Sequence, residues 1–426
     1  MLDSASNGKP SSPQSSSSHA SSPISQTKSN QPVDLPQSFW SDKEAQDACL
    51  MRYFVEELAP WFDTCDAAKN FALIAPQRAK SCPPLLYAIF SASARHLSRR
   101  QIINGNEILF AGKKLPSLGE ERALEYQSLC ISHLMSLSGD TTEVQDENLL
   151  AAAVILRFYE EYDAPLVGID DETYLRGTQV FLDAQSTAAM QSGGLRRAAF
   201  WVAFRQEWHR AFIKQRGFRF NSHCCASSAY RSLEPVDDNT WTNRMVLHCT
   251  DVVDYCYGED SSLARYDELW DYILRWQSLV PSTFNPLYSR EPDPGGTEVF
   301  PEIWYLDDCI VTATQHLLLA RICLVAYDPR TPRMGPGRKD AVAKGEAEIK
   351  RNLFELCGIA RSNKTAPALV MACMGVTMCG DIVTSRVEQE ALFDILVKLE
   401  EVHALSSSRA QMQLKEAWGW DGVMPT

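Results

Sequence analysis

The chain has 426 residues, 45% of them hydrophobic and 22% charged, an ordinary globular composition that can bury a large core without a disulfide or metal staple. Its formal net charge of -13 argues against specific DNA binding by this chain, because affinity for a duplex rests on Lys and Arg neutralising phosphates. The 13 cysteines are odd in number, form no CxxC pair and sit mostly in apolar stretches, so they read as buried thiols in a reducing compartment.

Residues 1–38 are rich in Ser, Pro and Gln, with too few apolar residues to offset their ordering entropy. They read as a disordered leader, a spacer with Ser12-Pro13 and Ser22-Pro23 as candidate phosphorylation points. The leader has no apolar run of the signal-peptide kind, so a soluble intracellular protein is expected. From Phe39 to the C-terminus the pattern is helical. Ser41 and Glu44 fit a capping box before a run to Phe62. Pro83-Pro84 opens a helix with Leu85, Leu86, Ile89, Phe90, Ser93 and Leu97 on one face. Further capping boxes fit Ser117 with Glu120, Thr142 with Gln145 and Ser385 with Glu388.

Leu149 to Leu156 is a run of eight apolar residues in a helical context, the mark of a helix central to a large core. Helices are then expected over Asp170 to Met190 and over Leu195 to Arg216, the latter with Trp201, Phe204, Trp208 and Phe212 on one stripe. Others are expected over Asn239–Tyr257, Leu263–Val280, Glu302–Tyr327, Asp340–Arg361, Pro367–Ser385, Gln389–Leu405 and Arg409–Trp418. The apolar stretch Cys309 to Ala326 contains Gln315, His316 and Arg321, so it reads as a core helix rather than a membrane span. Gly/Pro-rich breaks fall at Asn104–Gly119, Gly217–Pro235, Pro281–Pro301 and Asp328–Lys339, and no fixed-period repeat appears. The expected fold is therefore all-α: an irregular multi-helix bundle of antiparallel helices over residues 39–426.

Catalytic and metal motifs are scarce. The sequence has no closely paired thiolates or imidazoles for zinc, no HExxH, no G-x-S-x-G elbow and no phosphate-binding glycine loop. The alternative of an all-α enzyme of the isoprenoid-synthase type rests on the acidic doublets Asp170-Asp171 and Asp237-Asp238. Each lacks the third carboxylate one turn on, having Tyr174 and Trp241 there, and each stands where a helix should begin. No catalytic, cofactor-binding or metal residue is assigned.

The polar groups that interrupt apolar helices are more suggestive. Arg157 and Glu161 follow the Leu149–Leu156 run, and Arg205 and His209 lie among the aromatic residues of the stripe. Each pair is four residues apart and shares a helix face. Buried ions need partners, so interhelical ion pairs or a solvated helix edge are one explanation. The other is an effector site of Arg157, Glu161, Arg205 and His209, with convergent polar groups on apolar walls.

Four segments resemble the regulatory region of the fungal zinc-cluster (Zn2Cys6) transcription factors: Cys82 to Ser98, Asp146 to Glu161, Ala199 to Glu207, and Leu414 to Trp420. The likeness runs from about Phe39 to the C-terminus. It implies a nuclear regulator of transcription, with a helical domain that controls activity. In that family a binuclear zinc cluster upstream of a linker binds DNA. Residues 1–46 of this sequence contain no cysteine, so the six-cysteine motif is absent and zinc is expected only if an upstream cluster is missing from the chain. Regulation is then expected to run through the transcription machinery or a partner transcription factor, with a homodimer and a small-molecule effector as further candidate partners and no membrane.

Overall fold

A computed structural model describes residues 42–103, 107–163, 173–225, 229–259, 261–293 and 295–420. The leader and the doublet Asp170-Asp171 fall outside them, as does Ser41 of the first capping box. The chain begins with α1 (Asp42–Tyr53), a π-helical turn over Phe54–Leu58, α2 (Ala59–Phe62), α3 (Asn70–Leu73), α4 (Ala75–Ala79) and α5 (Pro83–Ile103). Then come α6 (Glu120–Leu137), α7 (Glu147–Asp163), α8 (Thr173–Gln191) and α9 (Gly194–Lys214). The remainder holds α10 (Asp238–Tyr257), α11 (Leu263–Leu279), α12 (Asp308–Ala326), α13 (Arg338–Ser362), α14 (Ala366–Cys379), α15 (Arg386–His403) and α16 (Ser408–Ala417). Strand pairing among the described residues is confined to two antiparallel ribbons, β1 (Leu109–Phe110) with β2 (Lys113–Lys114) and β3 (Tyr288–Arg290) with β4 (Glu302–Trp304). The fold is all-α.

Several helix ends depart from the expectation for identifiable reasons. The run to Phe62 is not one helix. Pro60 has no N–H to give the Glu56 carbonyl, and the turn before it widens, with Ala59 N–H bonding back to Phe54 O. The helix expected from Glu302 starts only at Asp308, because Glu302–Trp304 is taken up by β4 and the Asp307 side chain caps Cys309 N at 2.9 Å. The capping boxes also fail as side-chain caps. Gly119, not Ser117, is the N-cap of α6, Asp140 rather than Thr142 accepts from the first turn after it, and Ser385 sits at the N-cap of α15 without a side-chain bond. By contrast Asp237 caps α10, accepting from Thr240 N at 3.0 Å.

Buried side chains form two clusters. The first is built from α1 to α8 and the N-terminal part of α9. Its centre is α7, where Leu149 to Leu156 are all 4% exposed or less, as the unbroken apolar run predicts. α5 packs on both α6 and α7, burying Leu85, Ile89, Phe90, Ser93 and Leu97 and half-burying Leu86. The second cluster is built from α10 to α16 and the C-terminal part of α9. α12 is its spine, packed on α10, α13 and α14. It is long and apolar enough to cross a membrane, but 78% of its apolar window is buried within the fold. Gln315 on this helix is satisfied internally, its Nε2 donating to Ala368 O at 2.9 Å. α13 runs so close to Pro301 that a Cβ on Gly358 would lie 2.3 Å from the Pro301 carbonyl oxygen, which explains a glycine within a helix.

Helix α9 joins the two clusters. Leu195 to Phe204 belong to the first and Trp208, Ala211 and Phe212 to the second. Between them stand Arg205, Gln206 and Glu207, all buried.

Candidate functional site

The polar stretch of α9 is positioned by how the helix ends. Gln215 takes a left-handed conformation (φ 50°), which stops α9 and turns the chain back along it. The reversal brings Arg216 onto Glu207, with Nη1 to Oε1 at 2.6 Å and Nη2 to Oε2 at 3.0 Å, while Arg219 N donates to the same carboxylate at 2.8 Å. Glu207 is wholly buried, and this bidentate pair satisfies it.

One turn away a cavity of about 140 Å³ opens at the junction of the two clusters. Trp61, Phe62, Phe158, Val202, Met371 and Met374 supply apolar wall. Polar groups enter from three helices: Glu161 from α7, Arg205, Gln206 and His209 from α9, and Thr312 and His316 from α12.

Of the four residues singled out in the sequence, Glu161, Arg205 and His209 line this one cavity. Arg157 stands behind it, fully buried, bonded to Glu160 and placing Nε 3.4 Å from Glu161 Oε1. Glu161 is further tied to α9 through Gln206, whose Nε2 lies 3.4 Å from Oε2 and also donates to Val154 O at 3.1 Å. Arg205 spans to the end of α2, Nη2 donating to Phe62 O at 3.2 Å. Ion pairing within α7 accounts for Arg157 and Glu161, and pairing with the chain reversal after α9 accounts for Glu207, but neither accounts for Arg205. Among the described residues no carboxylate lies within ion-pair distance of Arg205.

Sequence reading missed the α12 wall. Gln315 and His316 stood out only as groups unsuited to a membrane span. His316 Nδ1 donates to Thr312 O at 2.8 Å, so its Nε2 carries the lone pair. Its ring packs on Trp208 at 4.7 Å between centroids and stacks near His209 at 6.2 Å. Burial pushes the His316 pKa down to about 3 and that of His209 well below its ordinary value, with the Arg205 charge adding to both. Both imidazoles are neutral at pH 7.

Among the described residues, Arg205 Nη1, Gln206 Oε1, His209 Nε2 and His316 Nε2 are buried polar atoms at the cavity without a hydrogen-bond partner. Orphaned polar atoms of this kind are rare in folded proteins and cost about 1–3 kcal/mol each. Metal ligation has no geometric support here, since no three His, Cys, Asp or Glu side chains of the described residues gather as a metal ion would need. Of the Asp237-Asp238 doublet, Asp237 accepts from Thr240 N and Thr240 Oγ1 as the N-cap of α10, and Asp238 is the first residue of the helix.

Residues 49–195 match the family model of the fungal specific transcription factor domain. The match takes in the part of the first cluster that precedes α9 and ends at Leu195, the second residue of that helix. Two of the resembling segments, Cys82 to Ser98 and Asp146 to Glu161, lie inside it, while Ala199 to Glu207 and Leu414 to Trp420 lie beyond. Searches of curated proteins and of solved structures return no match.

Proposed function

We propose that this chain, which carries a fungal specific transcription factor domain over residues 49–195, is a nuclear transcriptional regulator controlled by a small effector in the α7–α9–α12 cavity. The observation that carries the effector reading is the set of orphaned polar atoms at a seam between two packed clusters. A ligand that satisfied them would tie α7, α9, α12 and α14 together. It would shift the domain toward whichever arrangement it binds better. Arg157, Glu161, Arg205 and His209 are the regulatory residues in this reading, with His316 as a fifth. The domain acts as a regulator, not a catalyst. With its acidic charge the chain reaches promoters through the transcription machinery, a partner factor or a second copy of itself, rather than by reading bases. Zinc would enter only with a cluster carried upstream.

The test is a reporter assay with the full chain tethered to DNA through a heterologous DNA-binding domain. Arg157→Gln and Arg205→Gln should each change reporter output at least threefold while protein abundance and nuclear fluorescence of a tagged copy stay constant. Unchanged output from both variants would reject the effector site, and exclusion of the tagged protein from the nucleus would reject the regulator.

A further inference from the structure

The reading of the cavity as an effector site leaves the ligand's chemistry open, and the orphaned atoms constrain it. Arg205 is 92% buried by its 8% exposure and keeps a guanidinium that cannot shed its proton. Its Nη2 is held by a neutral carbonyl, and its Nη1 has no partner. Glu161 is committed to the Arg157 group, and among the described residues no carboxylate lies within ion-pair distance of Arg205. Gln206 Oε1 and His316 Nε2 are acceptors only, on side chains 5% and 1% exposed. The remaining wall is mainly apolar, made of aromatic, aliphatic and thioether side chains. A dry engineered cavity of about 150 Å³ accommodates benzene, so a single ring or branched chain of that size fits.

We infer that the cavity takes a small monocarboxylate with a compact apolar body and a hydroxyl group. The carboxylate sits on Arg205 Nη1 and supplies the missing counter-charge. The hydroxyl donates to His316 Nε2 or Gln206 Oε1, and the body packs on Trp61, Phe62, Met371 and Met374. A neutral ligand of the same shape would leave the guanidinium uncompensated. A dicarboxylate would bring a second charge against Glu161.

The test uses the full chain and matched acid and amide probes: benzoate with benzamide, cyclohexanecarboxylate with its amide, and 4-hydroxybenzoate with 4-hydroxybenzamide. Tryptophan fluorescence and calorimetry follow binding, since Trp61 lines the cavity and Trp208 packs against His316. At least one acid should bind, with its amide tenfold or more weaker. Arg205→Gln should cost that acid tenfold or more and leave the amide unchanged, while Arg205→Lys should retain most of the affinity. His316→Phe should abolish the preference for the hydroxylated acid over benzoate. Amides binding as well as acids, or an Arg205→Gln variant of unchanged acid affinity, would overturn the carboxylate assignment and leave the effector reading in place. No binding by any probe would overturn it too, with water filling the cavity. The reporter assay, which uses no probe, decides the effector reading separately.

Discussion

Two helical segments of this protein are almost equally buried and are made in opposite ways. In α7, Leu149 to Leu156 are all 4% exposed or less and carry no side-chain polar atom. In α9, Arg205, Gln206, Glu207 and Arg210 are 8% exposed or less and carry three charges and an amide. The α7 segment needs only close neighbours, and any apolar surface of the right shape would serve. The α9 segment needs particular partners in particular places. Glu207 has them, from a chain reversal fixed by a left-handed Gln215. Arg205 lacks a carboxylate, and stability alone gives no reason to keep it. In the function proposed above, the difference separates what holds the domain together from what binds its effector.

The largest effect should come from forcing α7 to behave like α9. Leu150→Asp places a carboxylate where no partner can reach and should cost at least ~4 kcal/mol, on the order of the whole stability of a domain. Loss of soluble protein or of the cooperative melting transition would show it, and a soluble mutant with the native melting temperature would refute the central place of α7. Next is Glu207→Gln. Removing one member of a buried bidentate pair leaves the Arg216 guanidinium facing a neutral amide and should cost about 3 kcal/mol in denaturant unfolding. A change below 1 kcal/mol would mean that the pair is not structural.

How far the sequence reveals each segment follows the same division. The α7 core is legible because eight apolar residues in a row within a long helical chain have one physical outcome, burial at the centre of a core. The α9 stripe of Trp201, Phe204, Trp208 and Phe212 is legible by its period, and all four are 3% exposed or less. The grouping of Arg157, Glu161, Arg205 and His209 was legible in part, because charges at apolar helices announce a need for partners. Which partners they find was not. That depends on Gln215, a non-glycine, turning left-handed, and on α12 arriving with His316, neither of which a sequence motif announces. Helix starts differ from the sequence pattern at Glu302, because β4 competes for the same residues, and at Ser117, because Gly119 takes the cap.

Acid should test the buried polar groups as a set. Burial pushes His96 and His316 down to about 3 and His248 to about 4. The unfolded chain binds protons at these sites near pH 6.5 and the folded chain does not. Their stabilisation is therefore complete above that value and is lost as pH falls toward the folded pKa values. Between pH 7 and pH 6 the three should remove on the order of 2 kcal/mol. Asp63, pushed up to about 6 by burial, works in the opposite sense and offsets a fraction. Denaturant midpoints measured across this window check the sign, and a midpoint that rises on acidification would contradict neutral buried imidazoles.

The smallest effect on stability, and the most direct test of the division between structure and function, is Arg205→Met. The substitution removes an uncompensated buried cation and one hydrogen bond to Phe62 O, and replaces them with apolar volume. Thermal melting of the full-length variant should be measured beside its output in the tethered reporter. The account predicts a melting temperature within about 2 °C of the parent, or above it, together with altered reporter output. A melting temperature lowered as far as that of Glu207→Gln, with reporter output falling only in proportion to protein abundance, would make Arg205 an ordinary structural residue and contradict the account.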